Sequence, residues 1–344
     1  METRVLMPTA EAIAEAAAIL RQGGLVAFPT ETVYGLGANA LDAAAVGGIF
    51  TAKGRTADNP LIVHIASPKA AEPLARVDAR AQALMEAFWP GPLTLLLPKK
   101  SVIPPETNAG LQSVALRIPS HPVALTLLKA CGVPVAAPSA NRSGRPSPTT
   151  AAHVLDDLRG RVPVILDGGE CEVGLESTVL DLTGDVPTIV RPGGVTREML
   201  AAYLPEVRVA GSVMRPLREG EVALSPGMMY RHYAPKGQLT LVRGEPEAVA
   251  AACAGLYREA LAAGKTARVL AFAENAARYE GLATLPIGSL EQPATIAHAL
   301  FAALRRVDDE HVDVILCEAV ATEGIGLAIM NRMCRAAAFR VLDV

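Results

Sequence analysis

The chain has 344 residues, 51% of them hydrophobic, and a net charge of −3. It is too long for one average domain and too apolar for general disorder, and its charge balance gives no chain-wide basic footprint for nucleic acid. Aromatics make up only 4%, which argues against a stacking platform for single strands and for helices packed on sheets through small side chains.

In chain order, Thr9 caps a predicted helix to about Gln22, with Ile13, Ala16, Ala17 and Leu20 on one face and Gly23-Gly24 as its stop. Leu25–Phe28 is a continuous apolar run, the pattern of a buried strand. Asp42 caps a second helix with Val46, Ile49 and Phe50 inward. Further strands are predicted at Leu61–Ile65, Leu93–Leu97, Val114–Ile118, Pro134–Ala137, Val164–Leu166, Thr178–Leu182 and Thr188–Val190. Further helices are predicted at Ala79–Phe88, Pro122–Ala130, Thr150–Leu158 and Thr196–Tyr203. Mixed helices and strands of this kind define an α/β layer architecture. From about Pro205 to Lys236 periodicity fails, which makes this the candidate linker. The last hundred residues restart a β-α rhythm, a smaller Rossmann-like parallel domain by pattern. The organisation expected is a catalytic domain at 1–205, a linker or lid at 206–236 and a second domain at 237–344.

Two phosphate-loop look-alikes fail on context. Gly35-Leu36-Gly37-Ala38-Asn39-Ala40 lies six residues beyond its strand rather than at the strand-to-helix turn, and Gly264-Lys265-Thr266 ends a helix rather than opening one. The stronger signal is a series of polar clusters beside apolar strands: Pro29 to Gly37, Lys53 to His64, Ser113 to Pro119, Ala137 to Gly144, Gly174 to Val179 and Arg191 to Gly194. In α/β folds, ligands sit at such strand ends. Lys53, Arg55, Arg117, Arg142 and Arg191 supply cations suited to a polyphosphate. Thr32, Ser113, Ser139, Asn141 and Ser177 supply neutral hydrogen bonds. No G-x-S-x-G elbow, H-E-x-x-H pair or Ser/His/Asp set is present. His64 and His232 lack metal-ligand neighbours, so no protein metal site is expected. The inventory points to catalysis by positioning and charge stabilisation, as in substitution at phosphorus.

The motifs P-T-E-T-V-Y-G-L-G, K-G-R-x-x-x-N-P-L, L-R-I-P, P-S-A-N-x-S-G, E-S-T-V and R-P-G resemble the YrdC-type domain of threonylcarbamoyl-AMP synthases. The linker S-P-G-M-x-Y-x-H-Y-A-P and the ending Gly324 to Arg332 resemble the longer, two-domain branch. The resemblance implies a twisted open mixed sheet with flanking helices, followed by the parallel domain. It implies a nucleotidyltransferase making threonylcarbamoyl-AMP, pyrophosphate and water from L-threonine, bicarbonate or CO2, and ATP with Mg2+. The product would pass to a downstream transferase that modifies tRNA, with tRNA itself bound weakly or indirectly.

By the same resemblance, Thr32, His64, Arg117, Ser139 and Ser177 would hold threonine. Arg55, Asn59, Ser113, Asn141, Thr149 and Arg191 would surround the nucleotide, with Ser225, His232 and Tyr233 in a lid above it. Lys53 and Arg55 would serve catalysis at the phosphates. Thr56 replaces the proline usual after the arginine, and Met229 replaces a basic linker residue. Two other readings remain: a double-stranded RNA or tRNA binding module, and a carbamoyl-handling enzyme of hydrogenase maturation. The latter expects zinc-finger-like cysteines upstream. The five cysteines here are widely spaced with no C-x-x-C pair, and Met1-Glu2-Thr3-Arg4 lacks a secretion pattern. With no apolar run of roughly 18 residues either, a cytoplasmic protein without a membrane span is expected.

Overall fold

Side-chain caps set where the main helices of the first unit begin. Thr9, Asp42, Asp78, His121 and Thr150 each accept a hydrogen bond from a first-turn N–H. The computed structural model describes residues 1–54, 56, 59–218, 220, 221, 224 and 233–344. The chain divides into two units, one of residues 1–143 with 147–229, the other of residues 144–146 with 230–344.

The first unit carries strands β1 (Arg4–Leu6), β2 (Val26–Phe28), β3 (Gly35–Asn39), β4 (Ile62–His64), β5 (Leu93–Pro98), β6 (Ser113–Arg117), β7 (Val135–Ala136), β8 (Val164–Leu166), β9 (Thr178–Asp181), β10 (Thr188–Arg191) and β11 (Arg208–Val209). They form one mixed sheet in the order β1-β8-β2-β3-β7-β4-β6-β5-β9-β10-β11. Its helices are α1 (Ala10–Arg21), α2 (Ala43–Lys53), α3 (Ala79–Phe88), α4 (Pro105–Asn108), α5 (Pro122–Cys131), α6 (Ala151–Leu158) and α7 (Arg197–Ala201).

Successive side chains of a strand point to opposite faces, and here the two faces have different fates. Ala27, Val63, Leu95, Leu116, Leu180 and Ile189 join the main core with residues of α2, α3, α6 and α7. On the other face, Val26, Phe28, Val135 and Val164 pack under α1 and α5. That cover stops at β7. Beyond it, the same face presents Ile62, Leu96, Ala115, Val179 and Val190, with Ala210, Leu217 and Leu224 packed against them among the described residues. His64 shares this face with Ile62, Ser113 and Arg117 share it with Ala115, and Thr94 shares it with Leu96, by the two-residue period.

The predicted strands and longer helices of this unit appear within a few residues of their expected limits. β1, β3, α4 and β11 were not predicted. β1 and β11 are edge pieces of three and two residues, too short to show a period. β3 is Gly-Leu-Gly-Ala-Asn, where the side-chain alternation is muted by glycine. β11 pairs with β10 inside the stretch that the sequence leaves without structure, and Leu217 and Leu224 beyond it pack on the sheet.

The second unit is a five-stranded parallel sheet. Its strands are β12 (Gln238–Arg243), β13 (Ala267–Ala271), β14 (Thr284–Pro286), β15 (Val314–Glu318) and β16 (Val341–Asp343), in the order β14-β13-β15-β12-β16. Its helices are α8 (Pro246–Ala262), α9 (Pro293–Asp309) and α10 (Gly326–Ala336). This is the parallel second domain expected from its β-α rhythm.

Candidate active site

The parallel pairing of β4 with β6 sets His64 beside Arg117 at the ends of the two strands. Both are buried. Arg117 is held by the loop after β2: its Nη1 donates to Thr32 Oγ1 at 3.0 Å, and its Nη2 lies 2.7 Å from Glu31 Oε1. Its Nε donates to the Gly91 carbonyl at 3.2 Å. Thr30 Oγ1 lies 2.8 Å from Thr32 Oγ1 and donates to the Val33 carbonyl, which tightens that loop. The expected open fork for a carboxylate is therefore partly engaged. Nε and Nη1 thus donate to protein acceptors, while Nη2 meets Glu31 as an ion pair and has no hydrogen-bond partner among the described residues.

Burial, then the nearby Arg117 charge, pushes the His64 imidazole down to about 3. It is neutral at physiological pH, with an Nδ1 that has no hydrogen-bond partner among the described residues. Asn59 shows the same feature more strongly, since neither side-chain polar atom has a partner among the described residues although the residue is fully buried. Buried polar groups left this way are uncommon and call for an explanation, such as a ligand.

A second pair forms on β5, β9 and β10. Ser177, just before β9, shares a hydrogen bond of 2.8 Å with Thr94. Arg191, at the end of β10, donates from Nε to the Ser177 carbonyl and from Nη2 to the Ser177 hydroxyl, each at 3.1 Å. This needs close approach of the chain after Arg191. A methyl group built at Gly193 would collide with the backbone of Glu176, Ser177 and Thr178, so only glycine fits there. Glu176 in turn accepts from Ser147 Oγ at 2.6 Å.

Lys53 does not reach outward in this structure. Its ammonium is buried and donates to the Ser139 carbonyl, to the Asn141 carbonyl at 2.7 Å and to Asn141 Oδ1 at 3.4 Å. Ser139 Oγ donates to Asn141 Oδ1 at 2.5 Å. The expected phosphate contact is thus replaced by a post that fixes the loop after β7. That loop is tied to the loop after β2 through Ala140 N to Tyr34 O, 2.8 Å, and a bridge between Ser139 and Gly35. Thr149 joins the same framework. Tyr34 N donates to Pro148 O, Cys171 N to Thr149 O and Val173 N to Glu31 O, at 2.7 to 2.9 Å. Ser113 sits at the opposite end of β6 from Arg117, four residues away on one face, a spacing of ~13 Å. Arg142 is exposed.

Arg55, Ser225, Met229 and His232 lie outside the described residues. Tyr233 belongs to the second unit. There it is buried, with its ring 5.1 Å from Phe301 and the Arg332 guanidinium 5.7 Å above it. Residues missed from the sequence are Thr30, Glu31, Thr94, Ser147 and Glu176. Glu31 and Glu176 stood inside quoted motifs without a role. Thr94 was visible as the one hydroxyl in the apolar run Leu93–Leu97.

Among the described residues, no group of three or more His, Cys, Asp or Glu side chains could hold a metal ion. The free cysteines are buried, and burial raises the Cys171 thiol to about 12, so it is no thiolate at neutral pH. No helix among the described residues is long and apolar enough to cross a membrane.

The fold and site thus define an α/β protein whose sheet carries buried hydroxyl and guanidinium side chains on and beside the half-face beyond β7. The family model described as "Telomere recombination" matches residues 18–193, and that described as "Threonylcarbamoyl-AMP synthase, C-terminal domain" matches residues 195–338. A threonylcarbamoyl-AMP synthase of Bacillus subtilis is 46% identical over 332 residues, covering 96% of this chain and 94% of the relative. One of Pyrococcus abyssi is 46% identical over 330 residues, covering 96% and 95%. The crystal structure of the P. abyssi protein complexed with L-threonine superimposes with a TM-score of 0.93 at 44% identity, covering 100% of this chain and 99% of that one. The chain belongs to the threonylcarbamoyl-AMP synthase family, in its two-domain form.

Proposed function

We propose that this chain is a nucleotidyltransferase that condenses L-threonine, bicarbonate or CO2, and ATP into threonylcarbamoyl-AMP, releasing pyrophosphate, and water when bicarbonate is the carbon source, for tRNA modification. The observation that carries this reading is the placement of His64, Arg117, Thr94 and Ser113 on one half-face of the sheet, with Ser177 and Arg191 at its edge. The complex of the P. abyssi relative with L-threonine supports it. The ~13 Å along β6 separates an amino-acid end at Arg117 from a nucleotide end at Ser113.

In this mechanism the threonine carboxylate takes Arg117 N–H groups that donate to no protein acceptor, and the threonine hydroxyl meets the neutral His64 or a neighbouring alcohol. The Ser139 hydroxyl lines the same end, positioned through Lys53. The threonine amine attacks the carbon of bicarbonate or CO2, forming an N-carboxylate, with water lost when bicarbonate is used. A carboxylate oxygen then attacks the α-phosphorus, and the bond to pyrophosphate breaks. Arg191 offsets charge on the phosphate oxygens. Asn59, Asn141 and Thr149 hydrogen-bond the nucleotide. Arg55, Ser225 and Tyr233 complete the assignment by resemblance. Magnesium would accompany the triphosphate as part of the substrate and would offset its charge.

The test is threonine-dependent pyrophosphate release from purified protein with Mg-ATP and bicarbonate. Its absence refutes the reading. Salt-sensitive tRNA binding without turnover would favour the nucleic-acid module instead.

A further inference from the structure

We propose that the second unit carries a binding site of its own for a small organic cation, a primary ammonium on a short apolar body. The site is a cavity of about 310 Å³ at the carboxyl ends of β12 and β15. Here the chain leaves β12 for β13 on one side and leaves β15 for β16 on the other. Such a reversal of direction opens a crevice between neighbouring parallel strands, the place where open α/β sheets take ligands.

The chemistry of the crevice is unusual. Glu318, the last residue of β15, lines it and is buried. Its Oε1 accepts from the Tyr279 hydroxyl at 2.5 Å, and its Oε2 accepts from Asn275 Nδ2 at 2.6 Å. Both oxygens accept from neutral donors, and each keeps a lone pair for another donor. No cation among the described residues pairs with it. Arg243 lines the same cavity, but its guanidinium is bound to Asp343 at 2.6 and 3.1 Å. A buried carboxylate with only neutral partners carries an uncompensated desolvation cost. A cation entering the cavity offsets it. Pro246 and Leu290 give the rim an apolar character, which suits a ligand with a short hydrocarbon body. The volume lies at the small end of ligand pockets.

The probe is n-butylammonium chloride, titrated into the full chain at constant ionic strength by NMR and calorimetry, with n-butanol as its neutral counterpart. Saturable binding with a dissociation constant of about millimolar is expected, with n-butanol at least tenfold weaker. Glu318→Gln, which keeps shape and hydrogen bonds, should weaken butylammonium on the order of ten- to a hundredfold. Ala321→Phe, at an exposed lining position, should block the cavity without touching Glu318 and weaken binding similarly. No saturable binding, equal binding of butanol, or full binding in folded Glu318→Gln would overturn the proposal. The readout is binding alone, so it stands apart from pyrophosphate release.

Discussion

Replacing His64 with glutamine removes a titration while keeping a hydrogen-bonding side chain in the same place. In the folded chain His64 is held neutral down to about 3, by burial first and by Arg117 second. In the unfolded chain an ordinary histidine titrates near 6.5. Between these values the unfolded state binds the extra proton, so stability falls as pH falls below about 6.5. Evaluated with both values, the loss between pH 7 and 5 is about 2 kcal/mol. Urea unfolding of the wild type and His64→Gln at pH 7, 6 and 5 should show the wild type losing about that much more. The imidazole NMR signals of His64 should not titrate over the same range. Parallel pH profiles for the two proteins, or a His64 titration near 6, would refute the reasoning.

Arg117→Ala combined with Glu31→Gln, so that no buried carboxylate is orphaned, should raise the KM for threonine far more than that for ATP in steady-state pyrophosphate assays. Arg191→Ala should do the reverse, lowering kcat/KM for ATP on the order of ten- to a hundredfold through lost charge-assisted hydrogen bonds. Lys53→Met leaves the Ser139 and Asn141 carbonyls without their ammonium and should cost on the order of 3 kcal/mol in urea unfolding. Gly193→Ala should displace the Ser177–Arg191 pair. Its signature is lost ATP affinity, measured by calorimetry, with threonine binding less affected.

The parts of the fold that could be read in the sequence are those where local chemistry and packing agree. Thr9 and Asp42 both cap the helices predicted from them, and Val164–Leu166 is found at its predicted limits. Short edge strands escaped because a two-residue ladder such as Arg208–Val209 draws its stability from its neighbour rather than from a pattern of its own. The candidate residues were legible as polar breaks beside apolar strands, but their partners were not. The Glu31–Arg117 ion pair spans loops 86 residues apart, and Lys53 meets Asn141 across 88. Such pairings depend on strand order, which periodicity does not encode. For the same reason Lys53 reads in sequence as one more phosphate cation, while the folded chain turns it inward.

The alternation along β6 couples the proposed site to folding in an unforgiving way. Arg117 shares the face of His64 because Leu116 and Val114 face the main core. A slip of one residue would exchange them, driving a guanidinium into hydrocarbon and leaving leucine beside His64. Natural variation here therefore has little room to adjust the chemistry through insertions in the strand. It is left with side-chain replacement in place, or with changes in the loops that feed the strand ends.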